Sequence, residues 1–455
     1  MGIDRKRRLY EHLIALGFKE IEVGFPVSSE SDWQFTRYVI EQGLIPDDVT
    51  IQVMSPIRDG MIERTVEAVR GAPRVILQIY NPTSAIQRRV VFRKSKAEIK
   101  DLALRGAQTA LRLWDSLPGT KIQLQYATES FSQTEPEFAL EVCNAVLELW
   151  KPRAADGTRI VLPTTVECYP PHEFADRIEW MSRNLAYRDE IILSLHPHND
   201  RGCGVAATEL ALLAGAERVE GTLFGNGERA GNVCLITLAM NLFSQGIDPE
   251  LDLSDLDASR RLVEECNQLP VAVRHPWVGD FAYTSFAGSH QDAISKGVQA
   301  RAESEQDLWE VPYLPIDPAD VGRKYQPLVR INRQSGKGGI AYLLRSEHGL
   351  DLPRRLQIEF AALVQQQAEQ GGEIKSAQIW EWFNQQYLSD VSGPPDSGDV
   401  LQTNTHSLPD GSFAGYTELR RGDVTRWGVG LGKSAEEALE RSRHSAAGRF
   451  AGEDA

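Results

Sequence analysis

Two histidines two residues apart, His196 and His198, stand in LSLHPHND. On a strand, residues i and i+2 face the same side, so both imidazoles can reach one divalent cation. The same pair also serves as surface or helix-capping histidines, and the spacing alone does not decide. Further along, Gly225, Asn226, Gly227, Glu228 and Arg229 open GNGERAGN, a Gly-dense polar loop leading straight into an apolar helix. Helix N-termini attract anions. Asn232 closes the loop and can offer an amide oxygen to the same cation. The glycines alone make only a turn; the two loops together favour a site. Glu129 in YATES, Thr165 in LPTTVE and Glu22 in KEIEVGF are polar residues at strand ends. Each, taken alone, is a structural residue before it is a catalytic one, since a buried Glu must be paired in either case.

The elements that must position these residues alternate. β-rich runs at 19–25, 49–55, 74–81, 121–130, 159–167, 190–198 and 218–225 are each followed by a helical stretch. Near-continuous apolar strands suit a parallel sheet covered on both faces. Seven strand–helix units in one rhythm predict a (β/α)8 barrel of the TIM type, with the site at the C-terminal ends of the strands. One unit is lacking, and it is the first, because the sequence opens in a helix, DRKRRLYEHLIALG. After 250 the rhythm stops. The reading is α/β over 1–250, a barrel without its first strand. A mainly helical linker and lid region follows over 251–390, then a linker at 391–399. A small α+β domain, strand, turn, strand, strand, helix, fills 400–455.

Composition excludes other classes. The chain has 455 residues, 42% hydrophobic and 25% charged, which rules out disorder and collagen. With 49 basic and 64 acidic residues the net charge is −15, which repels phosphate backbones, so no nucleic-acid partner is expected. Five scattered cysteines, at least 25 residues apart, form no zinc-ribbon or disulfide pattern. No apolar run reaches the ~18 residues of a membrane span, and the N-terminus lacks a secretory apolar core. The expectation is a cytoplasmic enzyme with no membrane partner.

The stretches LSLHPHNDRGCGVA and GNGERAGN resemble the α-isopropylmalate synthase family, within the wider class of homocitrate-synthase-like, metal-dependent barrels. KEIEVGFP, QRRVVFR, ECNQLPV, GSHQDAISKG, VPYLPIDPADVGR and LPRRLQIEF agree, and the similarity runs to about residue 390. The resemblance implies a Claisen condensation of acetyl-CoA, as co-substrate, with a 2-oxo acid, foremost 3-methyl-2-oxobutanoate. It implies His196, His198 and Asn232 as ligands of Mg²⁺ or Mn²⁺, although two imidazoles also tolerate Zn²⁺. Gly225 to Arg229 would handle acetyl-CoA, Glu129 would be an active-site carboxylate, and Thr165 would contact substrate. His290 in GSHQ and Tyr313 in VPYLP match residues that a partner subunit inserts over the barrel mouth. That implies a homodimer with its site completed in trans, and makes His290 a proton-transfer candidate; alone, a His in a Gly-rich loop is plain surface.

Departures from the family pattern carry their own expectations. The family's first strand ends in Arg-Asp-Gly, and the Asp is a metal ligand; the sequence as given starts after it. Where the family has His-Phe-Tyr-Asn, this chain has Gln78-Ile79-Tyr80-Asn81; where it has Tyr-Ser-Pro-Glu, this chain has Tyr126-Ala127-Thr128-Glu129; Met54 replaces a Leu. Gln78, Ala127 and Met54 therefore mark the 2-oxo acid pocket and leave open a different acid, of secondary metabolism. The lack of Arg-Asp leaves open a catalytically impaired homologue or assembly subunit. The family's leucine-binding domain has two βββα halves; only one, 417–450, is recognisable, so leucine feedback is expected to be weak or absent. An amidohydrolase barrel also uses His-x-His, but on its first strand rather than its penultimate one.

Overall fold

A computed structural model describes residues 1–285, 287–303, 308–323, 337–368, 376–388 and 398–451. Most of the linker expected at 391–399 lies outside the described residues. The chain divides into two compact units, Met1–Gly279 and Asp280–Ala455.

The first unit opens with α1 (Ile3–Leu16). Gly17, at φ 105°, ends it by returning its N–H to the carbonyls of Ile14 and Leu13, a left-handed cap that glycine adopts without strain. Strands and helices then alternate: β1 (Glu20–Gly24), α2 (Glu30–Glu41), β2 (Thr50–Pro56), α3 (Met61–Ala68), β3 (Arg74–Pro82), α4 (Lys96–Leu113), β4 (Lys121–Glu129), α5 (Pro136–Trp150), β5 (Arg159–Thr164), α6 (Pro171–Asn184), β6 (Ile192–Pro197), α7 (Gly204–Leu213), β7 (Arg218–Val219), α8 (Leu235–Ser244) and α9 (Leu256–Asn267). The seven strands form one sheet in sequence order, every neighbouring pair parallel. This is the expected TIM-type order of seven strand–helix units.

Because strand side chains alternate, each strand sends one set under the helices and the other inward. Ile51, Val53, Val75, Leu77, Ile122 and Leu124 belong to the outer core, with residues of the surrounding helices. The inward set is polar: Glu20 and Glu22, Gln52, Gln78, Gln125, Arg159, His196, Arg218 and Glu220 are linked to one another by side-chain bonds. A flat sheet could not bring all seven strands' side chains together, so the sheet is curled with this face inside.

One element differs from expectation. The strand read over 218–225 pairs only at Arg218–Val219. Beyond Glu220 the chain turns to residues 232–235: Thr222 N–H reaches Val233 O, and Leu235 N–H reaches Thr222 O. A six-residue π-helical turn, Gln87–Phe92, was also not anticipated; Val90 and Val91 on it are exposed.

The second unit contains α10 (Gly288–Ala302), α11 (Lys337–His348), α12 (Arg354–Ala368), α13 (Ser376–Phe383), β8 (Asp399–Ser407), β9 (Phe413–Arg421), β10 (Val424–Gly432) and α14 (Ala435–Ala451). The antiparallel sheet runs β10-β9-β8. α14 lies so close on it that a Cβ at Gly428 would overlap the helix backbone at Ser442 and Ala446. Phe360, Phe383, Tyr387, Tyr416 and Trp427 share one core.

Candidate active site in the curled sheet

β6 carries His196 on the inward face, and His198 follows just past the strand end. Their ring centroids are 5.5 Å apart. His198 pairs by a backbone bridge with Asn232, and the Asn232 amide lies 3.3 Å from His196 Nε2. The structure thus gathers His196, His198 and Asn232. Gly227 is needed beside them, because a Cβ there would overlap the Asn232 amide.

His196, Asn232, Asn226 and Glu22 line a cavity of about 600 Å³. Beneath it lies a layer of amides and charges. Glu220 Oε2 is 2.8 Å from His196 Nδ1. Glu220 Oε1 accepts from Arg218 Nη1 at 2.6 Å, Gln125 Nε2 at 2.7 Å and Gln52 Nε2 at 3.2 Å. Gln52 also donates to Glu22 at 3.1 Å.

These contacts set the charges. Burial opposes charge on His196, but the hydrogen bond and charge of Glu220, with Glu22, outweigh it and raise its pKa. Burial and the neighbouring His196 push His198 down to about 4. Glu22 stands open to the cavity rather than packed in the core, yet its enclosure by the curled sheet and the charge on Glu220 push it up to about 7. Burial would raise Glu220, yet His196 and Arg218 hold its carboxyl far below the usual carboxylate range. Two carboxylates within one network are thus driven apart, a pattern common at functional sites.

The remaining expected residues fall in distinct places. Glu129 opens on a neighbouring cavity of about 570 Å³, with Tyr80, Arg58 and Gln87. Its pKa is raised by burial against the hydrogen bond from Gln87. Gln78 is buried in the floor, accepting from Gln125 and from Gln52. Met54 is its register partner on β2; Ala127, next but one to Gln125 on β4, shares the inward face. Thr165 Oγ1 accepts from Ser130 N–H at 2.8 Å. In the Gly-rich loop, Asn226 to Arg229 are exposed, and Arg229 clamps the loop by donating to Asp200 Oδ1 at 2.7 Å and to the Thr165 carbonyl. In the second unit, His290 and Tyr313 stack face to face with centroids 4.0 Å apart; Tyr313 is 60% exposed.

The donor set suits a divalent cation. His198 Nδ1 is buried without a hydrogen-bond partner, and His196 and Asn232 converge on the cavity. Among the described residues no three His, Cys, Asp or Glu side chains cluster as ligands; the donors that would hold a cation here are two imidazoles and one amide. Sequence reasoning missed Glu220, Gln52, Gln125 and Arg218. For Gln52 and Gln125 a signal was present: a glutamine interrupts the apolar runs IQVM and LQYA, as Gln78 interrupts LQIY.

The curled parallel sheet, with its polar interior and a His-x-His strand end, is of the TIM-barrel type. Residues 1–263 match the HMGL-like family, and residues 280–345 match the α-isopropylmalate synthase post-catalytic domain-like family. The chain is 56% identical over 407 residues to a 2-isopropylmalate synthase of Parafrankia sp. (strain EAN1pec), covering 89% of this chain and 72% of that protein. A 2-isopropylmalate synthase of Kineococcus radiotolerans is 52% identical, covering 90% and 72%; one of Mycobacterium ulcerans is 53% identical, covering 86% and 71%. The chain belongs to the 2-isopropylmalate synthase family.

Proposed function

We propose that this protein condenses acetyl-CoA with a 2-oxo acid, foremost 3-methyl-2-oxobutanoate, to give 2-isopropylmalate and free CoA. The observation that carries the reading is the convergence of His196, His198 and Asn232 in a chain of this family. The acetyl methyl loses a proton, the resulting carbanion forms a C–C bond to the ketone carbon, the alkoxide gains a proton, and water cleaves the thioester to release CoA.

A divalent metal, Mg²⁺ or Mn²⁺, held by His196, His198 and Asn232 would supply Lewis acidity at the ketone oxygen, where negative charge develops. Gly225, Asn226, Gly227, Glu228 and Arg229 would seat acetyl-CoA. Glu129, its pKa raised by burial, and Thr165 would face the reacting acids. Met54, Gln78 and Ala127 would shape the 2-oxo acid pocket. In a homodimer, His290 and Tyr313 from the second copy would cover the mouth, with His290 moving a proton. Release of free thiol from acetyl-CoA, followed across a panel of 2-oxo acids, tests the reading. Release that depends on 3-methyl-2-oxobutanoate supports it; none with any 2-oxo acid overturns it. A maximum with another acid would favour the second reading, for which the amide at Gln78 is the motive.

A further inference from the structure

We propose that Glu220 is the positioning residue for His196, fixing its imidazole as the Nδ1–H tautomer so that Nε2 alone faces the cavity. The proposal rests on the metal-assisted reading above only for its purpose; its geometry stands independently.

Glu220 Oε1 already receives three N–H groups, from Arg218, Gln125 and Gln52. None of these can act as acceptor through the nitrogen used. Oε1 therefore carries no proton, and the Arg218 guanidinium ion-paired with this carboxyl at 2.6 Å keeps it ionised, so Oε2 carries none either. Oε2 lies 2.8 Å from His196 Nδ1, so the proton in that bond sits on Nδ1. Neutral imidazole has one N–H and one lone pair; with Nδ1 protonated, the lone pair is on Nε2, beside the Asn232 amide. Glu220 is itself immobilised. Arg218, which binds it, also donates to Ser194 Oγ at 2.9 Å, Gln52 Oε1 at 2.9 Å and Glu20 Oε2 at 2.5 Å. His198 has no such support, since its Nδ1 is unpartnered. The two histidines are therefore unequal: one is hydrogen-bonded at Nδ1 by the floor of the sheet, the other is not.

Glu220→Gln discriminates sharply. The same three donors that face Oε1 would force the amide oxygen to that side. The amide nitrogen would then point at His196 Nδ1 and donate to it, which moves the imidazole proton to Nε2 and removes the lone pair from the cavity. Outer-shell partners of this kind typically change metal affinity ~10–100-fold.

Two measurements on the full chain test this. Long-range ¹H–¹⁵N spectra of histidine-labelled protein, at alkaline pH and with the His196 signal assigned by His196→Ala, read the tautomer without any metal. Nδ1–H in the wild type and Nε2–H in E220Q are expected; Nε2–H in the wild type overturns the proposal. Titration with Mn²⁺, followed by loss of the free-ion EPR signal, reads affinity, and a ~10–100-fold weakening is expected in E220Q, measured where its far-UV circular dichroism matches that of the wild type. Where the wild type binds Mn²⁺, equal affinity of E220Q also overturns it. If the wild type shows the Nδ1–H tautomer yet binds no Mn²⁺, the positioning role holds and the metal-assisted reading fails, so the two are separable.

Discussion

Arg218 on β7 and Glu20 on β1 belong to strands at opposite ends of the sheet order, yet Arg218 Nε donates to Glu20 Oε2 at 2.5 Å. Arg159 on β5 donates to the other oxygen of the same carboxylate. This cross-interior contact ties the first strand to the last and to the middle of the sheet, and it does so with a buried Arg159 and two largely buried partners, charges which must be paired.

Arg218 also neutralises Glu220, so Arg218→Ala would leave two carboxylates without their shared cation. Removing one partner of a buried ion network costs ~3–5 kcal/mol. Urea denaturation of the variant should show a loss of that order. A change below ~1 kcal/mol, the scale of a surface pair, would show that the curl of the sheet does not depend on this contact.

The Gly-rich loop makes a second prediction. A methyl group at Gly227 would overlap the Asn232 amide, while the loop itself is exposed and can shift without disturbing the core. Gly227→Ala should therefore leave the melting temperature within a few degrees and lower the rate of CoA release by ~10²-fold, the scale expected when a positioned group moves by an ångström. Unchanged turnover would separate Asn232 from the chemistry.

Much of this arrangement was legible in the sequence. Apolar runs alternating with amphipathic helices predicted the parallel order of seven strands, and His196 and His198 were placed together because strand periodicity fixes which residues share a face. The second unit's strand, strand, strand, helix ending was equally plain. Other features depend on contacts that no local pattern encodes. Strand β7 stops at Val219 because Thr222 finds better backbone partners at Val233 and Leu235, residues beyond the next loop. The floor of the site was hidden for a similar reason. Gln52, Gln78 and Gln125 each look like one polar interruption in an apolar strand, and only the register that places Gln78 across from Gln125 reveals them as a layer.

The pH dependence of stability has a defined sign at Glu22. Its carboxyl sits at about 7 in the folded protein, against ~4.3 in an unfolded chain. The folded state therefore holds this proton more tightly, and its contribution is complete below ~4.3 and lost as pH rises through 7. Glu22→Gln removes the titration. The stability of E22Q relative to wild type should increase from pH ~5 to pH ~8, read as a growing difference between their urea midpoints. Parallel midpoints across that range would place the Glu22 titration elsewhere.

Gln78 tests whether the floor also selects the substrate. Its Oε1 accepts from both Gln125 and Gln52, and its neighbour across the sheet is Met54. An imidazole at this position could accept only one of those donors, leaving the other buried and unpaired, and it would present a ring nitrogen where the amide now stands. Sites that reject or accept substrates by pairing buried polar groups discriminate strongly, whereas a methylene in an apolar pocket is worth only ~10–200-fold. Gln78→His should accordingly change the ratio of kcat/KM between 3-methyl-2-oxobutanoate and a straight-chain 2-oxo acid by ~10-fold or more, measured by thiol release with each acid in turn. If both values instead fall in proportion, Gln78 supports Glu220 and His196 from below, and the choice of acid lies with Met54 beside it and Ala127 above it.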